Sequence, residues 1–233
     1  MPDHQPPFHI YDYIFCGLGA SGSLVLFELD RRGMLHGKSI LVFEPGDKTA
    51  NDKTYCFWTT PDDPSTAAIQ DIISNRWQKI SVPYHAGASI DPLHYCRIRS
   101  IDLYEKANNI LKNYKATCLQ DSANTLENDH ENVVIRTKST VYHGKTVFDS
   151  RPPRFLVPRK NQVVLWQSFL GLEVSIDQGV IDTETVVLMD FNVPQEHHTQ
   201  FMYVLPLSPN TALVELTRFG SDKILEGPAW KIL

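Results

Sequence analysis

Three closely spaced glycines near the start of the chain have the spacing of a phosphate-binding turn. They belong to the run Gly17-Leu18-Gly19-Ala20-Ser21-Gly22. In a turn of this kind the first glycine permits a tight bend, the second lets the backbone approach a pyrophosphate, and the third lets the following helix pack closely on the sheet. The helix start then offers unpaired N–H groups and the positive end of its dipole to the phosphates. The six residues are therefore predicted to bind a dinucleotide.

An acidic residue follows at the distance expected for a group that binds the ribose. Glu44 comes 22 residues after Gly22, close to the spacing of about 20 residues that is typical of such sites. A carboxylate at this position would accept hydrogen bonds from ribose hydroxyls and repel a 2′-phosphate, which favours FAD or NAD over NADP. A glycine-rich turn beside an unrelated surface glutamate is the competing interpretation. The order of strand, glycine loop, helix and acid favours the dinucleotide site.

The elements around this turn predict one strand–helix–strand unit. A short apolar and aromatic run at 11–15 indicates a buried strand before the glycines. An apolar stretch follows the glycines and predicts a helix. It ends at Arg31, Arg32 and Gly33, and cations followed by a glycine are typical of the end of a helix. Residues 39–44 are predicted to form the second strand. This pattern predicts an α/β protein with a Rossmann-like FAD/NAD(P)-binding fold.

The middle of the chain has weaker patterns. A second helix is predicted to begin with Asp102 as its N-cap and Glu105 as the capping-box partner. The other predicted elements are a short helix at 67–80, a polar turn at 124–131, and strands at 133–137 and 145–149 around a turn at His143-Gly144. These elements would complete an FAD-binding domain, which we expect to span residues 1–153.

The pattern changes after Pro152 and Pro153. From there, short apolar runs alternate with turn residues, as expected for an antiparallel sheet. The predicted strands are 163–166, 185–189, 201–205 and 212–216. We therefore expect a second, mainly antiparallel β domain at residues 154–233 that binds the substrate.

Composition and charge argue against several classes of protein. The chain has 233 residues, 42% of them hydrophobic and 21% charged, with a net charge of −5, which is typical of a globular protein. It has no cluster of Lys or Arg that would neutralise nucleic-acid phosphates, so no nucleic-acid partner is expected. The four cysteines form no pair with metal-ligand spacing, so no metal is expected either.

The cellular location is inferred from the apolar segments. No run reaches the roughly 20 apolar residues that span a bilayer, and the start, Met1-Pro2-Asp3-His4-Gln5, lacks the basic region of a secretory signal. Cys16 lies in an apolar run, where a reduced, buried thiol is expected. We expect a cytoplasmic protein. Peripheral association with the inner face of the membrane stays open, because it needs only an exposed apolar patch.

Five further stretches, taken in order with the glycine run, resemble the lycopene cyclase family of FAD-binding proteins. They are NDKTYCFW at 51–58, VFDSRP at 147–152, WQSFLG at 166–171, MDF at 189–191, and FMYVLPLS at 201–208 leading into ALVELT at 212–217. Their order and spacing carry the resemblance. It extends from about residue 11 to about residue 219 and corresponds to the N-terminal part of a lycopene β-cyclase.

The resemblance implies an isomerase of carotenoid biosynthesis that needs reduced FAD but does not consume it. Such enzymes convert the open ends of lycopene to β-ionone rings, so a hydrophobic carotenoid is the expected partner. A carboxylic acid protonates the terminal alkene, the ring closes through a carbocation, and a proton is lost. Reduced flavin is expected to stabilise the cation electrostatically. The matching acid is Glu215 in the run Val214-Glu215-Leu216-Thr217.

Two interpretations of Glu215 follow from the residues alone. Its apolar neighbours Leu213, Val214 and Leu216 would desolvate the carboxyl and raise its pKa, which keeps a proton available near neutral pH. A glutamate that points to solvent from a half-exposed strand fits the same pattern, and the resemblance favours the acid. Another FAD-dependent enzyme, such as a hydroxylase, and a non-catalytic FAD-binding protein are the alternative functions.

The chain is shorter than expected for this family. Family members carry a further glycine-rich segment toward the C-terminus, and no such segment follows Glu215 here. We therefore expect a C-terminally truncated chain in which the β domain is incomplete. The sequence is equally consistent with cyclisation of one end of lycopene and with cyclisation of both ends.

Replacement of Gly19 by valine tests the predicted dinucleotide site. We expect Gly19→Val to abolish detectable binding of FAD and of ADP, because a side chain at this position would collide with the pyrophosphate. Calorimetric titration of the folded variant with ADP measures the effect. An unchanged affinity would place the site elsewhere in the chain.

Overall fold

The glycine run follows the first strand of a six-stranded sheet. The computed structural model describes residues 9–83, 85–152, 160–195 and 197–223. In chain order the strands are β1 (Ile10–Cys16), β2 (Ile40–Phe43), β3 (Thr54–Thr59), β4 (Asn75–Trp77), β5 (Lys79–Val82), β6 (His85–Ser89), β7 (His94–Arg99), β8 (Thr117–Leu119), β9 (Thr125–Asp129), β10 (Asn132–Arg136), β11 (Val141–Asp149), β12 (Trp166–Ser175), β13 (Thr185–Asp190), β14 (Thr199–Ser208) and β15 (Thr211–Gly220). The α-helices are α1 (Ala20–Arg31) and α2 (Ser100–Asn113), with short 3-10 helices at Pro64–Thr66 and Gln70–Ile72.

The first sheet has the strand order β8-β2-β1-β11-β10-β9. The strands from β8 to β11 are parallel, and β10 and β9 are antiparallel additions at one edge. Parallel strands are usually covered on both faces, and every residue of β2 is buried. One core of this sheet contains Ile14, Cys16, Leu41, Phe43 and Ile135. The parallel arrangement is the one predicted from the strand–helix–strand pattern.

Helix α1 begins inside the glycine run and ends in a basic turn. It starts at Ala20 and finishes at Arg31, where a cation lies near the negative end of the helix dipole. Leu26 and Phe27 lie on its buried face. The predicted positions of the first strand, the helix and the second strand are confirmed to within a few residues.

Helix α2 begins earlier than predicted. Its N-cap is Arg99, and Asp102 lies inside the first turn, where its carboxylate accepts a hydrogen bond from Nε of Arg99 at 2.7 Å. The predicted capping box from Asp102 to Glu105 is therefore wrong. Strand β7 runs directly into the helix, so the preceding strand sets its start. Leu103 and Ala107 lie on the buried face of the helix.

Three other expectations in this region are wrong. The polar stretch 124–131 contains β9, and the predicted helix at 67–80 is reduced to the 3-10 turn Gln70–Ile72, followed by β4 and the start of β5. His143-Gly144 lies inside β11, and the hairpin turns at 137–140 instead. A Cβ on Gly144 would lie 2.6 Å from Cδ1 of Ile14. This glycine therefore permits close packing and does not mark a turn.

The second six-stranded sheet has the order β12-β15-β14-β13-β5-β6. Strands β12, β15, β14 and β13 are antiparallel neighbours, and the antiparallel arrangement is the one predicted. The strand predicted at 163–166 is wrong in its bounds, because β12 begins at Trp166 and continues to Ser175. Strand β5 pairs in parallel with β13 and antiparallel with β6, which the sequence did not indicate. Trp77, Val186, Leu188 and Leu205 form the buried cluster on one face. A third sheet has three strands in the order β3-β7-β4.

The chain divides into two units that are discontinuous in sequence. The first contains Met1–Tyr55, Pro64–Ser74 and Arg97–Arg154, and the second contains Cys56–Asp63, Asn75–Cys96 and Phe155–Leu233. The predicted boundary between residues 153 and 154 lies outside the described residues. The second unit takes two segments from the N-terminal half of the chain, and both lie within residues 1–153, the span predicted for the FAD-binding domain.

Candidate functional site

Gly17 turns the chain from β1 toward α1. Its φ is +94°, a left-handed conformation that residues with a Cβ rarely adopt. Its N–H donates a hydrogen bond to the carbonyl oxygen of Phe43 at 2.8 Å, which ties the turn to the end of β2. A Cβ here would also lie 2.7 Å from Oγ of Ser150. Both the backbone conformation and the available space therefore require glycine.

Gly22 and Gly19 differ in the space around them. A Cβ on Gly22, in the first turn of α1, would lie 2.5 Å from the carbonyl oxygen of Gly17. The helix and the turn therefore approach as closely as the glycine spacing predicts. A Cβ on Gly19 would have no atom within 4 Å. This open space is where a pyrophosphate would lie against the backbone.

The carboxylate of Glu44 is held by backbone donors. Oε2 accepts a hydrogen bond from the N–H of Leu18 at 2.7 Å, and Oε1 accepts one from the N–H of Gly46 at 2.8 Å. Nζ of Lys48 lies 3.4 Å from Oε1. A carboxylate has about four lone-pair sites, so ribose hydroxyls can bind while these contacts persist. The structure thus places Glu44 beside the glycine run.

A cleft of about 850 Å³ opens beside the turn. Three cationic side chains are among the described residues that line it: Lys48, Lys53 and Arg151. Nζ of Lys48 also lies 5.0 Å from the ring centroid of Tyr104, which orients the ammonium group. Positive charge of this kind attracts phosphate oxygens.

Residues after β11 form one side of the cleft. Oγ of Ser150 lies 3.1 Å from the carbonyl oxygens of both Cys16 and Gly17. Asp149 accepts hydrogen bonds from the guanidinium of Arg151 at 2.8 and 2.9 Å, and these bonds lower the pKa of Asp149. Arg151 also donates to backbone carbonyls of the neighbouring loop. Asp149 is therefore an ionised carboxylate with a structural partner.

These features fit the adenosine-diphosphate half of FAD. No side-chain group caps the N-terminus of α1, and its first turn contains no acidic residue, so backbone N–H groups are available to phosphate oxygens. Gly19 leaves the space, and Glu44 supplies an acceptor for the ribose hydroxyls. The residues of the predicted cofactor site are thus brought together in the first unit.

Glu215 lies on a strand with a neighbour on each side in the second unit. It pairs with Gly171 of β12 and with Tyr203 of β14. Directly paired residues share a face of the sheet, and side chains alternate along each strand. Glu215 therefore points to the same side as Leu205 and Leu213, which belong to the apolar cluster of this unit. The side chain of Glu215 therefore does not point away from the packed face, as the alternative interpretation of this residue would require.

The groups around Glu215 remove water from its carboxyl. Desolvation raises the pKa of Glu215, and a hydrogen bond from Oγ1 of Thr217 at 3.5 Å acts in the opposite direction. Cys56 and Tyr95 pack against the apolar cluster. Desolvation, with a smaller contribution from the nearby Glu215 carboxyl, raises the pKa of Tyr95 and of Tyr203. The geometry and the pKa suit a general acid, and that role stays a prediction.

Several residues of the cofactor site and of the surroundings of Glu215 were not predicted from the sequence. Ser150 lies in the stretch at 147–152 that resembles the family, and this was the only signal for it. Lys53 lies in the stretch at 51–58 that resembles the family, and this was the only signal for it. Lys48 follows Glu44 in a segment without a periodic pattern, so nothing in the sequence marked it. Cys56 and Tyr95 reach the surroundings of Glu215 from distant parts of the chain, which no local pattern reveals.

The described residues contain no group of three or more His, Cys, Asp and Glu side chains that could hold a metal ion. None of the four cysteines forms a disulfide, and burial raises the pKa of the Cys16 thiol to about 11. None of the helices in the described part of the chain has both the length and the apolar character of a membrane span.

Comparison of sequences identifies related proteins. Residues 12–231 match the family described as lycopene cyclase protein. A lycopene beta-cyclase from Paracoccus sp. (strain N81106 / MBIC 01143) is 34% identical over 74 residues, which are 31% of this chain and 18% of that protein.

Comparison of structures identifies proteins with the same fold. The p-nitrophenol 4-monooxygenase PnpA from Pseudomonas putida DLL-E4 has a TM-score of 0.64 at 14% identity, over 95% of this chain and 60% of that chain. CtdE in complex with FAD has a TM-score of 0.61 at 10% identity, over 94% and 61%. A geranylgeranyl bacteriochlorophyll reductase-like protein from Thermoplasma acidophilum has a TM-score of 0.56 at 15% identity, over 90% and 57%. The predicted Rossmann-like FAD/NAD(P)-binding fold is confirmed. The chain spans about 60% of the length of these structures.

The close approach at Gly22 predicts different outcomes for two glycine variants. Gly22→Ala should lower the free energy of unfolding by about 1–3 kcal/mol, because its Cβ would meet a backbone oxygen that cannot move without displacing the turn. Gly19→Ser is the matched control and should preserve stability, because the site is open and serine is a favourable N-cap. Urea denaturation measures both variants. Equal losses would contradict the packing role of Gly22.

The raised pKa of Glu215 predicts a pH-dependent effect on stability. The unfolded chain loses the Glu215 proton at a lower pH than the folded protein, so the stabilising contribution is present at low pH and is lost as pH rises through the folded pKa. Glu215→Gln stays neutral, so its Tm relative to the parent should be higher at about pH 8 than at about pH 4. Glu173→Gln, a solvent-exposed residue of β12, is the control and should show no such trend. A Tm difference that is the same at both pH values would contradict the desolvation of Glu215.

Proposed function

The chain belongs to the lycopene cyclase family, and we propose that it is a flavoprotein of carotenoid biosynthesis that cyclises the ends of lycopene without net oxidation or reduction. The position of Glu215 carries this proposal. Its carboxyl lies on the packed face of a sheet, among apolar side chains, and desolvation raises its pKa. An acid of this kind can protonate an alkene, which a solvated and ionised carboxylate cannot do.

The first unit would hold FAD. Backbone N–H groups of the glycine run would contact the pyrophosphate, and Glu44 would accept hydrogen bonds from the ribose hydroxyls. Lys48 and Lys53 would add positive charge at the cleft. When bound, reduced flavin supplies negative charge that stabilises a nearby carbocation, and it is not consumed.

Glu215 would act as the general acid. Its proton moves to one carbon of the terminal double bond of lycopene, which leaves a carboxylate on Glu215 and a positive charge on the adjacent carbon. The electrons of a neighbouring double bond then form the ring bond. Loss of a proton from the ring restores a double bond, so the product is an isomer of the substrate. The protein's contribution to the first step is a proton that burial retains near neutral pH.

A hydrocarbon substrate fits the surroundings of this acid. Tyr203 and Leu213, which are only partly buried, share the face of Glu215, and contact with such side chains binds a hydrocarbon by removing apolar surface from water. Because lycopene dissolves in membranes, the proposal includes contact between the protein and a membrane surface.

A flavin-dependent hydroxylase would share the fold but differ in its consumption of reductant. It would oxidise NAD(P)H and consume oxygen in every turnover, whereas the proposed cyclase needs reductant only to prime its flavin. Oxygen uptake during product formation distinguishes the two. Uptake in a fixed ratio to product would contradict the proposed function.

Substitution of Glu215 tests its role as the proton donor. Glu215→Gln should lower the rate of β-carotene formation from lycopene with reduced FAD by at least about 10²–10⁴-fold, because an amide cannot protonate an alkene. Glu215→Asp should retain little activity, because the shorter side chain holds its proton farther from the substrate. Pigment analysis at equal amounts of folded protein measures the rates.

Glu184→Gln is the control for this experiment. Glu184 is an exposed acid of the same unit that pairs with Lys79 at 2.5 Å, and an exposed pair of this kind contributes little to stability. The control should cyclise at the rate of the parent. Near-parental activity of Glu215→Gln would show that another group, such as Asp190, supplies the proton.

A further inference from the structure

Glu215 lies at the border between a closed and an open part of its sheet face. Toward β14 and β13 the face is closed, since Phe201 and Leu205 are each 4% exposed and Val186 is fully buried. Along β12 the residues on this face are all exposed: Gln167, Phe169, Gly171, Glu173 and Ser175. Within the second unit, a molecule can therefore reach the carboxyl of Glu215 over β12.

Gly171 leaves a gap directly beside Glu215. A Cβ on Gly171 would lie 3.7 and 3.8 Å from Cγ and Cβ of Glu215, and 3.3 Å from Cδ1 of Leu213. The backbone does not require glycine here, because Gly171 lies in a strand and its φ is not positive. A glycine inside a strand weakens the strand, and such a position often marks a place where a ligand approaches closely.

Phe169 stands next to this gap. It pairs with Thr217, two residues beyond Glu215 on the same face, so its ring is a diagonal neighbour of the acid. Phe169 is 55% exposed, although it is large and apolar. Among the exposed residues on this face of β12 it alone has an apolar side chain. An aromatic ring has a negative face that attracts positive charge.

We propose that the end group of the hydrocarbon substrate lies over Gly171, between the carboxyl of Glu215 and the ring of Phe169. This assignment rests on the proposed function. The ring binds the end group by apolar contact. After the proton moves from Glu215 to the alkene, the ring stabilises the positive charge on the adjacent carbon. Phe169 is thus a second catalytic residue, and Gly171 determines whether the end group can reach the acid.

Variants of Phe169 separate apolar contact from charge stabilisation. Phe169→Leu keeps an apolar side chain but removes the ring, so kcat for β-carotene formation should fall about 5- to 30-fold while the affinity for lycopene changes little. Phe169→Trp restores a ring with a stronger attraction for cations and should recover kcat. Glu184→Gln changes an exposed residue of the same unit that pairs with Lys79, and it is the control that should leave kcat unchanged.

Gly171→Val tests the gap independently of turnover. Valine suits an exposed strand position, and its side chain would fill the space beside Glu215. Binding of lycopene in detergent micelles, measured by quenching of tryptophan fluorescence, should be weakened at least tenfold in this variant (about 1.4 kcal/mol). Circular dichroism should show the same fold as the parent. Glu184→Gln is again the control and should bind as the parent does.

The outcomes distinguish this assignment from the proposed function. If the parent cyclises lycopene and Phe169→Leu keeps kcat within about twofold, the role of Phe169 is wrong and the proposed function stands. If the parent binds lycopene without cyclising it, the proposed function fails, and the Gly171→Val measurement still decides the binding position: weakened binding supports it and unchanged binding overturns it. If the parent neither binds nor cyclises lycopene, both are overturned.

Discussion

The contact between Gly22 and the carbonyl oxygen of Gly17 determines the shape of the first unit. Only a hydrogen atom fits between them, since a Cβ would lie 2.5 Å from the oxygen. This approach brings the start of α1 against the end of β1. The N–H of Gly17 then binds the end of β2, and the carboxylate that follows β2 binds the N–H of Leu18. A larger residue at Gly22 would separate the phosphate-binding and ribose-binding groups that this packing holds together.

In the second unit the corresponding constraint is the partial burial of the Glu215 carboxyl. A carboxyl that is fully buried keeps its proton but cannot meet a substrate, whereas a fully exposed one meets the substrate but loses the proton near neutral pH. Glu215 lies between these limits because β14 covers one side of it and Gly171 leaves the other side open. The same position therefore retains the proton and exposes it to a neighbouring molecule.

The parts of the fold that the sequence predicted are those encoded by local spacing. The glycine run, the apolar stretch of α1 and the apolar runs of β13 to β15 are each contained in a short segment of the chain, and each element was found close to its observed bounds. The start of α2 was wrong because β7 runs directly into the helix. Gly144 was misread because its contact with Ile14 is distant in sequence.

The residues of the candidate site divide in the same way, into those that local spacing reveals and those that only the fold brings together. The residues from Gly17 to Gly22 and Glu44 are recognisable because their chemistry depends on spacing along one strand–helix–strand unit. The partners of Glu215 are not recognisable in this way. Cys56 and Tyr95 belong to segments far from it, and they share its surroundings only because the second unit takes strands from the N-terminal half of the chain. The resemblance identified Glu215 and its apolar neighbours predicted a raised pKa, but the surrounding residues from distant segments required the structure.

The parallel pairing of β5 with β13 has a consequence for the order in which the chain folds. Lys79 pairs with Thr185 in this register, so β5 leaves the ribosome more than a hundred residues before its partner strand. Closing so long a loop is entropically costly, and sheets that depend on distant pairings form slowly. Until β13 is made, β5 has an unpaired edge that can join another chain. Efficient production of this protein should therefore depend on protecting that edge during synthesis.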